Sequence, residues 1–214
     1  MLLVAPKLAT DKTLRGHLAG HKAHRHTVTP ELLGRLAGRS NSEEVLVAFR
    51  QREADVSALS KGFWIALEEI RDPGNLGTII RTAEAAGAAG VLLIGECCDV
   101  WAPEVVRASV GAIARVPVLR LMRSAYLDWR KSYKGQVVAT LMSAKPDYRE
   151  QKYSLPALLL MGSEHAGLSD AVAATCTTSV HIPMQGKIES LNVATATALI
   201  AYEIMRAGGQ AKSR

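Results

Sequence analysis

Cysteine is scarce in this chain: Cys97, Cys98 and Cys176 are the only three in 214 residues. An odd count with two adjacent members does not make a disulfide framework, and without a CxxC spacing it offers too few ligands for a structural zinc site. That usage fits a reducing cytosol. No apolar run approaches the ~20 residues that span a bilayer. The opening MLLVAP reaches Lys7 and Asp11 too soon for a signal-peptide core. The expectation is a cytoplasmic, soluble protein with no membrane partner and no metal. Several common signatures are missing too: no GxGxxG after a strand, no GxxxxGK[ST], no HExxH and no GxSxG. Dinucleotide-dependent dehydrogenases, P-loop nucleotidases and ordinary α/β hydrolases all lose ground.

The bulk of the chain is ordinary. It is 48% hydrophobic and 21% charged, with 5% aromatic residues, so disorder is not expected away from the two ends, where AGGQAKSR reads as a frayed tail. The 26 Lys and Arg against 20 Asp and Glu leave a surplus of +6, a modest tilt toward a polyanionic partner. That surplus is concentrated at the front. Lys7, Lys12, Arg15, Lys22, Arg25, Arg35 and Arg39 face only Asp11 and Glu31 over the first forty residues, together with four of the six histidines. Here VTPELLGRLAG predicts a helix with Thr29 as cap and Pro30 in the first turn, and EEVLVAF (43–49) predicts a strand.

From residue 63 onward short apolar runs alternate with amphipathic stretches of about ten residues. Strands are predicted at 63–67, 91–94, 116–120, 137–141, 157–161 and 179–182, and helices at 75–87, 103–113, 123–133 and 167–175. Strands this apolar are covered on both sides, so the fold class is α/β, a parallel sheet with helices on both faces. Open sheets of that kind bind ligands beyond the carboxyl ends of their strands, and three loops stand there. In EEIRDPGNLGTIIRTAEAAG (68–87), Asp72-Pro73-Gly74 forms a turn and Asn75 can cap the next helix. Arg81 then lies ~9 Å further along the axis, on one face with Thr78 and Ala85, while Leu76, Ile80, Ala83 and Gly87 face the core. In LLLMGSEHAGLSD (158–170) a strand runs into Gly162, and Glu164 sits in a turn closing at Gly167. His165 reads as a surface residue. In IPMQGKIESLNVATATALIAYE (182–203) a polar loop carries Ser190 and Asn192 into a helix of small residues. Taken singly, each loop reads more readily as a capped helix or a glycine turn than as a site.

Together, DPGNLGTIIRTAEAAG, MGSEHAGLSD and IPMQGKIESLNVATATA, in that order and spacing, resemble the three motifs of the SpoU/TrmH-type RNA 2′-O-methyltransferases of the SPOUT superfamily. The resemblance covers about residues 62–207. It implies a SPOUT-type fold with a carboxy-terminal trefoil knot, S-adenosylmethionine as cofactor, an RNA substrate (ribosomal or transfer RNA) and a homodimer whose interface includes the last helix. Carried over by position, it implies catalytic roles for Asn75, Arg81, Glu164, Ser190 and Asn192. It also implies cofactor contacts, largely through backbone, at Gly162, Ile182, Met184 and Leu191, with Thr140 and Leu141 nearby. The domain division it suggests is 1–60 as a partial N-terminal RNA substrate-binding segment and 61–214 as the methyltransferase domain. The front segment resembles only the second half of the amino-terminal domain of longer relatives.

The implied reaction transfers a methyl group to a ribose 2′-oxygen, which calls for close, aligned placement of the reacting groups and removal of a hydroxyl proton. Arg81 suits a bidentate grip on a phosphate better than a base, because a guanidinium is always charged. RLMRSAYLDWRKSYKG (120–135) interleaves Arg120, Arg123, Arg130, Lys131 and Lys134 with Tyr126, Trp129 and Tyr133. It reads either as an RNA-stacking patch or as an amphipathic helix with its aromatics turned inward. Two other functions stay open: a non-catalytic RNA-binding protein that keeps the fold, and a base-directed methyltransferase of the same superfamily.

Overall fold

The computed structural model describes residues 1–13, 16, 24–38, 44–48, 51, 54–141, 143–164 and 166–208. The readings of His165 as a surface residue, of Arg15, Lys22 and Arg39 in the basic front, and of a frayed tail beyond Gly208 lie outside the described residues. The chain divides into two compact units, Met1–Gln51 and Arg52–Arg214.

The first unit holds a three-stranded sheet. β1 (Leu2–Val4) lies in the middle, parallel to β2 (Arg25–Thr27) and antiparallel to β3 (Val45–Val47). α1 (Pro6–Ala9) follows β1, and α2 (Pro30–Ala37) follows β2. Thr29 caps α2 as its sequence predicts: its hydroxyl accepts from Leu32 N at 3.3 Å, and Gly38 ends the helix at φ 66°. Leu3, Ala5 and Leu33 are buried in a small cluster with Val28 and Leu46. The hydrophobic start of the chain, weighed above only as a leader, is thus the central strand of this sheet.

The boundary falls at Gln51, ahead of the position near 60 suggested by the sequence. The 3₁₀ turn Val56–Ser60 belongs with the second unit because Leu59 is buried in that unit's core and Trp64 Nε1 donates to Ala58 O at 3.2 Å.

The second unit is a six-stranded, wholly parallel sheet of β4 (Phe63–Glu68), β5 (Gly90–Ile94), β6 (Val118–Leu121), β7 (Gln136–Thr140), β8 (Ala157–Met161) and β9 (Thr178–Val180), in the order β6-β5-β4-β8-β7-β9. Its helices are α3 (Pro73–Ala85), α4 (Pro103–Ala108), α5 (Arg123–Arg130), α6 (Asp170–Ala173) and α7 (Val193–Ala207). All six predicted strands are present, within about two residues at each end.

Alternation along the strands assigns the two faces. Ile65, Leu67, Val91, Leu93, Val138, Leu159 and Met161 pack with α3, α4 and α7, through residues such as Ile79, Val105 and Ile200. Trp64, Ala66, Leu92, Val137, Ala139, Leu158 and Leu160 pack with Tyr126 of α5 and Val172 of α6. The central strands β4, β5 and β8 are buried along their whole length on both sides, which is why their sequences are apolar runs and not alternating ones.

The helix stripe on α3 differs in detail from the prediction. Gly77 and Ile79 join Leu76, Ile80 and Ala83 in the core, while Gly87 lies exposed past the helix end at φ 67°. Gly77 is required there because a Cβ would collide with Ala108 Cβ and Val105 O of α4.

The stretch 120–135 resolves in favour of the inward-facing helix. Tyr126 and Tyr133 are buried, and Trp129 packs against both, with ring centroids at 6.0 and 4.8 Å. Four of its five cations are engaged. Arg120 pairs with Asp99, Arg123 with Glu68 and Glu69, and Lys131 with Asp128, while Arg130 donates to the carbonyls of Thr175 and Tyr133.

Candidate active site

The sheet order changes direction between β4 and β8. β5 and β6 extend to one side of β4, whereas β8, β7 and β9 lie on the other. At such a switch point the loops leaving adjacent strands diverge and open a crevice at their carboxyl ends. All three loops singled out in the sequence leave the sheet at this edge. A cavity of about 820 Å³ lies there, lined by Thr140, Leu141, Gly162, Glu164, Ile182, Met184, Ser190, Leu191 and Asn192 among others. Nine of the eleven candidate residues therefore share one cavity.

The tenth, Asn75, reaches it by hydrogen bonding. The sequence suggested Asn75 as the helix cap. Instead Asp72 caps α3, its Oδ1 accepting from Asn75 N at 2.6 Å, with Pro73 at the first helical position. An Asp followed by Pro makes a strong helix start, because Pro at that position loses no intrahelical bond. Asn75 is thereby freed in the first turn. Its Nδ2 donates to Glu164 Oε1 at 2.8 Å, and its Oδ1 accepts from Asn192 Nδ2 at 2.9 Å.

Asn192 is itself the cap of α7, with Oδ1 accepting from Ala194 N at 2.9 Å and from Thr195 N at 3.3 Å. Those two donors fix which end of the Asn192 amide is oxygen. The Asn192 nitrogen must then face Asn75, and the Asn75 nitrogen must face Glu164. A helix cap thus sets the orientation of a three-residue chain ending on a carboxylate. Glu164 Oε2 is left to accept a donor from a ligand. Here the capped-helix reading and the functional reading are the same geometry.

The turn that carries Glu164 is tightly determined. Ser163 and Gly167 exchange both backbone hydrogen bonds at 3.1 Å, and Ser163 Oγ accepts from Ala166 N at 3.2 Å. Gly167 sits at φ 67°. Gly162 could carry no side chain, since a Cβ would run into the backbone of Gly167 and Leu168.

Arg81 is placed elsewhere. It is exposed on α3, does not line the cavity, and makes no hydrogen bond or ion pair among the described residues. Ser190 lines the cavity, and its hydroxyl makes no hydrogen bond among the described residues.

Sequence reasoning did not single out several lining residues, among them Met161, His181 and Glu189. Met161 ends β8 and accepts a hydrogen bond from Thr140 Oγ1 at 3.3 Å. His181 bonds through Nδ1 to Pro146 O at 3.0 Å. A carbonyl can only accept, so Nδ1 carries a proton and donates it. A lone histidine inside a strand-like SVHI gave no signal of this.

The charge of the cavity is one-sided. Its described lining includes Glu164 and Glu189 and no Lys or Arg, which favours a cationic ligand. Its size suits a small molecule of nucleoside scale. Ile182, Met184 and Leu191 supply apolar walls, and the turns at 162–167 and 182–191 supply backbone donors and acceptors. Among the described residues, no group of three or more His, Cys, Asp or Glu stands together as a metal site, and no helix is long and apolar enough to cross a membrane.

A parallel sheet with a crevice of this kind, bordered by the Glu164–Asn75–Asn192 chain drawn from three separate segments, defines an α/β protein with a small-molecule site at the switch point of its sheet. The family follows from comparison with known proteins. The SpoU rRNA Methylase family matches residues 62–202, and this chain belongs to that family. It is 32% identical over 207 residues to an uncharacterised tRNA/rRNA methyltransferase of Synechocystis, covering 92% of this chain and 72% of that protein. It is 32% identical over 189 residues to the 23S rRNA (uridine(2479)-2′-O)-methyltransferase of Streptomyces viridochromogenes, covering 84% of this chain and 66% of that one. Among solved structures, the AdoMet-bound rRNA methyltransferase of Sinorhizobium meliloti superposes with a TM-score of 0.83 at 33% identity, over 96% of this chain and 78% of its own.

Proposed function

We propose that this chain transfers the methyl group of S-adenosylmethionine to a ribose 2′-hydroxyl of structured RNA, with ribosomal RNA as the substrate class. The observation that carries this reading is the Glu164–Asn75–Asn192 chain at a cavity whose described lining has two carboxylates and no cation. S-adenosylmethionine supplies an activated methyl on a positively charged sulfonium, and that cavity fits its charge. Glu164 and Glu189 favour the cation. The backbone of 162–167 and 182–191 meets the polar edge of a base, between walls formed by Ile182, Met184 and Leu191. Thr140 and Leu141 close the side toward β7.

On the RNA side, Ser190 offers its hydroxyl beside Asn192. Arg81, exposed and without a partner among the described residues, grips a phosphate next to the target ribose with its planar fork, which also stabilises charge developing on the oxygen. The net charge of +6 favours that partner, and with the tyrosines of RLMRSAYLDWRKSYKG buried and four of its five cations paired, the attraction draws also on other surfaces, including the cations of the first unit. A homodimer is part of the proposal. Ile188, Leu199 and Tyr202 are 62%, 36% and 46% exposed on α7 and the loop before it, an apolar face suited to a second copy. The carboxy-terminal knot and a division into an RNA-binding front and a methyltransferase unit belong to the same proposal.

The test is nucleoside mass spectrometry after incubating the protein with S-adenosylmethionine and unmodified ribosomal or transfer RNA. A 2′-O-methylnucleoside that disappears with Asn75→Ala is the expected result. A base-methylated product would refute ribose transfer, and cofactor binding without product on either RNA would refute the substrate assignment.

A further inference from the structure

One buried charge takes no part in the chemistry just described. Glu68, the last residue of β4, is 1% exposed and does not line the cavity. Burying a carboxylate is costly unless it is paired and hydrogen-bonded, and this one is held on three sides. Ser169 N donates to Oε2 at 2.7 Å, Ser169 Oγ donates to Oε1 at 2.7 Å, and Arg123 Nε donates to Oε1 at 2.8 Å. All three are charge-assisted and short.

What they hold is the far end of the Glu164 turn. The turn leaves β8 at Gly162, so its near end is fixed by the sheet, and it re-enters regular structure at Ser169, the cap of α6. Between those points the turn is closed by the Ser163–Gly167 pair of backbone bonds and by Ala166 N on Ser163 Oγ, and among the described residues the Glu164 side chain is tethered by Asn75. The backbone N–H of a cap residue has no partner in its own helix. Glu68 supplies that partner from a strand 101 positions away in the chain. Arg123 brings the first residue of α5 to the same carboxylate and also binds Glu69. The one carboxylate thus ties β4, α5 and α6 together directly behind the turn.

We propose that Glu68 is a positioning residue of the active site: through Ser169 it fixes the turn that presents Glu164 and the backbone of 162–167 to the cofactor. The cofactor half of this statement rests on the S-adenosylmethionine reading of the cavity, whereas the half concerning the turn does not.

The experiment measures amide hydrogen exchange in the full ligand-free chain, and S-adenosylmethionine binding by calorimetry, for wild type, Glu68→Gln and Ser169→Ala. Gln keeps the shape and loses the charge. Ser169→Ala keeps the backbone bond and loses only the hydroxyl, so it tests the same link if Glu68→Gln folds poorly. The expected result for Glu68→Gln is exchange about tenfold faster at residues 163–168, with β4 and β8 unchanged, and a Kd for the cofactor weakened about tenfold, the size of one lost charge-assisted bond. Ser169→Ala shifts the same amides by less.

Unchanged exchange at 163–168 overturns the proposal, as does faster exchange spread evenly through the sheet, which is what a merely structural charge would produce. If the turn loosens selectively with the Kd unchanged, the cofactor half is overturned. If wild type binds no S-adenosylmethionine, the cavity reading falls, and the exchange data still decide whether Glu68 holds the turn.

Discussion

Replacing Asn75 by Asp changes one NH₂ to an oxygen and leaves shape, helix position and backbone cap untouched. The consequences can therefore be worked out from the two bonds Asn75 makes. Toward Asn192 nothing is lost, because that contact already uses Asn75 as acceptor. Toward Glu164, a 2.8 Å donor–acceptor contact becomes carboxylate against carboxylate. Two like charges about 4 Å apart repel by roughly 1 kcal/mol if the site is as wet as bulk water and by about 4 kcal/mol at an effective dielectric of 20. Glu164 is exposed and Asn75 half-buried, so the penalty falls toward the lower end of that range. One term opposes it. An acidic residue in the first turn of α3 is favoured by the helix dipole by about 0.3–1 kcal/mol. Repulsion wins, and Asn75→Asp is destabilised by about 1–2 kcal/mol at neutral pH.

The sign of the pH dependence separates this from an ordinary loss of a contact. A carboxylate pair in contact binds a proton more tightly folded than unfolded. The penalty is therefore full at pH 7 and shrinks as pH falls and the pair takes up one proton, which restores a hydrogen bond. Thermal unfolding of wild type and Asn75→Asp at pH 7.5 and pH 5 measures it, with Asn75→Ala as the reference lacking both bonds and the repulsion. The expected gap between wild type and Asn75→Asp narrows at pH 5, while the gap to Asn75→Ala does not. Equal stability of wild type and Asn75→Asp at both values would refute the Asn75–Glu164 bond, and with it the orientation deduced from the Asn192 cap.

Other consequences can be read the same way. Asn192→Ala removes the cap of α7 and should cost about 0.5–2 kcal/mol, a fall in Tm of a few degrees; because Asn75 then loses its reference, methyl transfer should fall by much more than stability, and a proportionate fall would contradict the link. Gly162→Ala forces a methyl into the backbone of Gly167 and Leu168, which cannot swing aside as a side chain would, so a loss of about 1–3 kcal/mol and weakened cofactor binding are expected by calorimetry. Burial, reinforced by the neighbouring Cys97 and Asp72, pushes the Cys98 thiol up to about 11. Its thiolate is scarce at pH 8, and alkylation followed by peptide mass spectrometry should run about a hundredfold slower than for a free thiol and accelerate as pH rises toward 11; labelling at the free-thiol rate would show that the site is open.

What could be read from the sequence divides by the range of the interactions involved. The second unit was legible because its signals are local and repeated: the central strands are runs buried on both faces, and α3, α6 and α7 begin at capping residues. In the first unit α2 and β3 were legible, but β1 was not, because Leu2–Val4 is only three residues long and becomes a strand by pairing with Arg25–Thr27 and Val45–Val47, partners that no local pattern announces. The site residues were named from their motifs, but their arrangement was not visible. Asn75 was read as a cap because Asn suits that place; only the structure shows Asp72 taking it, which frees Asn75 to join residues 89 and 117 positions away. Arg123 was read as a candidate RNA contact for the same reason. Its partner Glu68 is buried 55 positions upstream, and EE at the end of an apolar strand gives no hint of which carboxylate turns inward. The alternation of the sheet decides that point. Leu67 faces α3, and Glu68 therefore faces the side of α5 and α6, where Arg123 and Ser169 are the groups able to satisfy it.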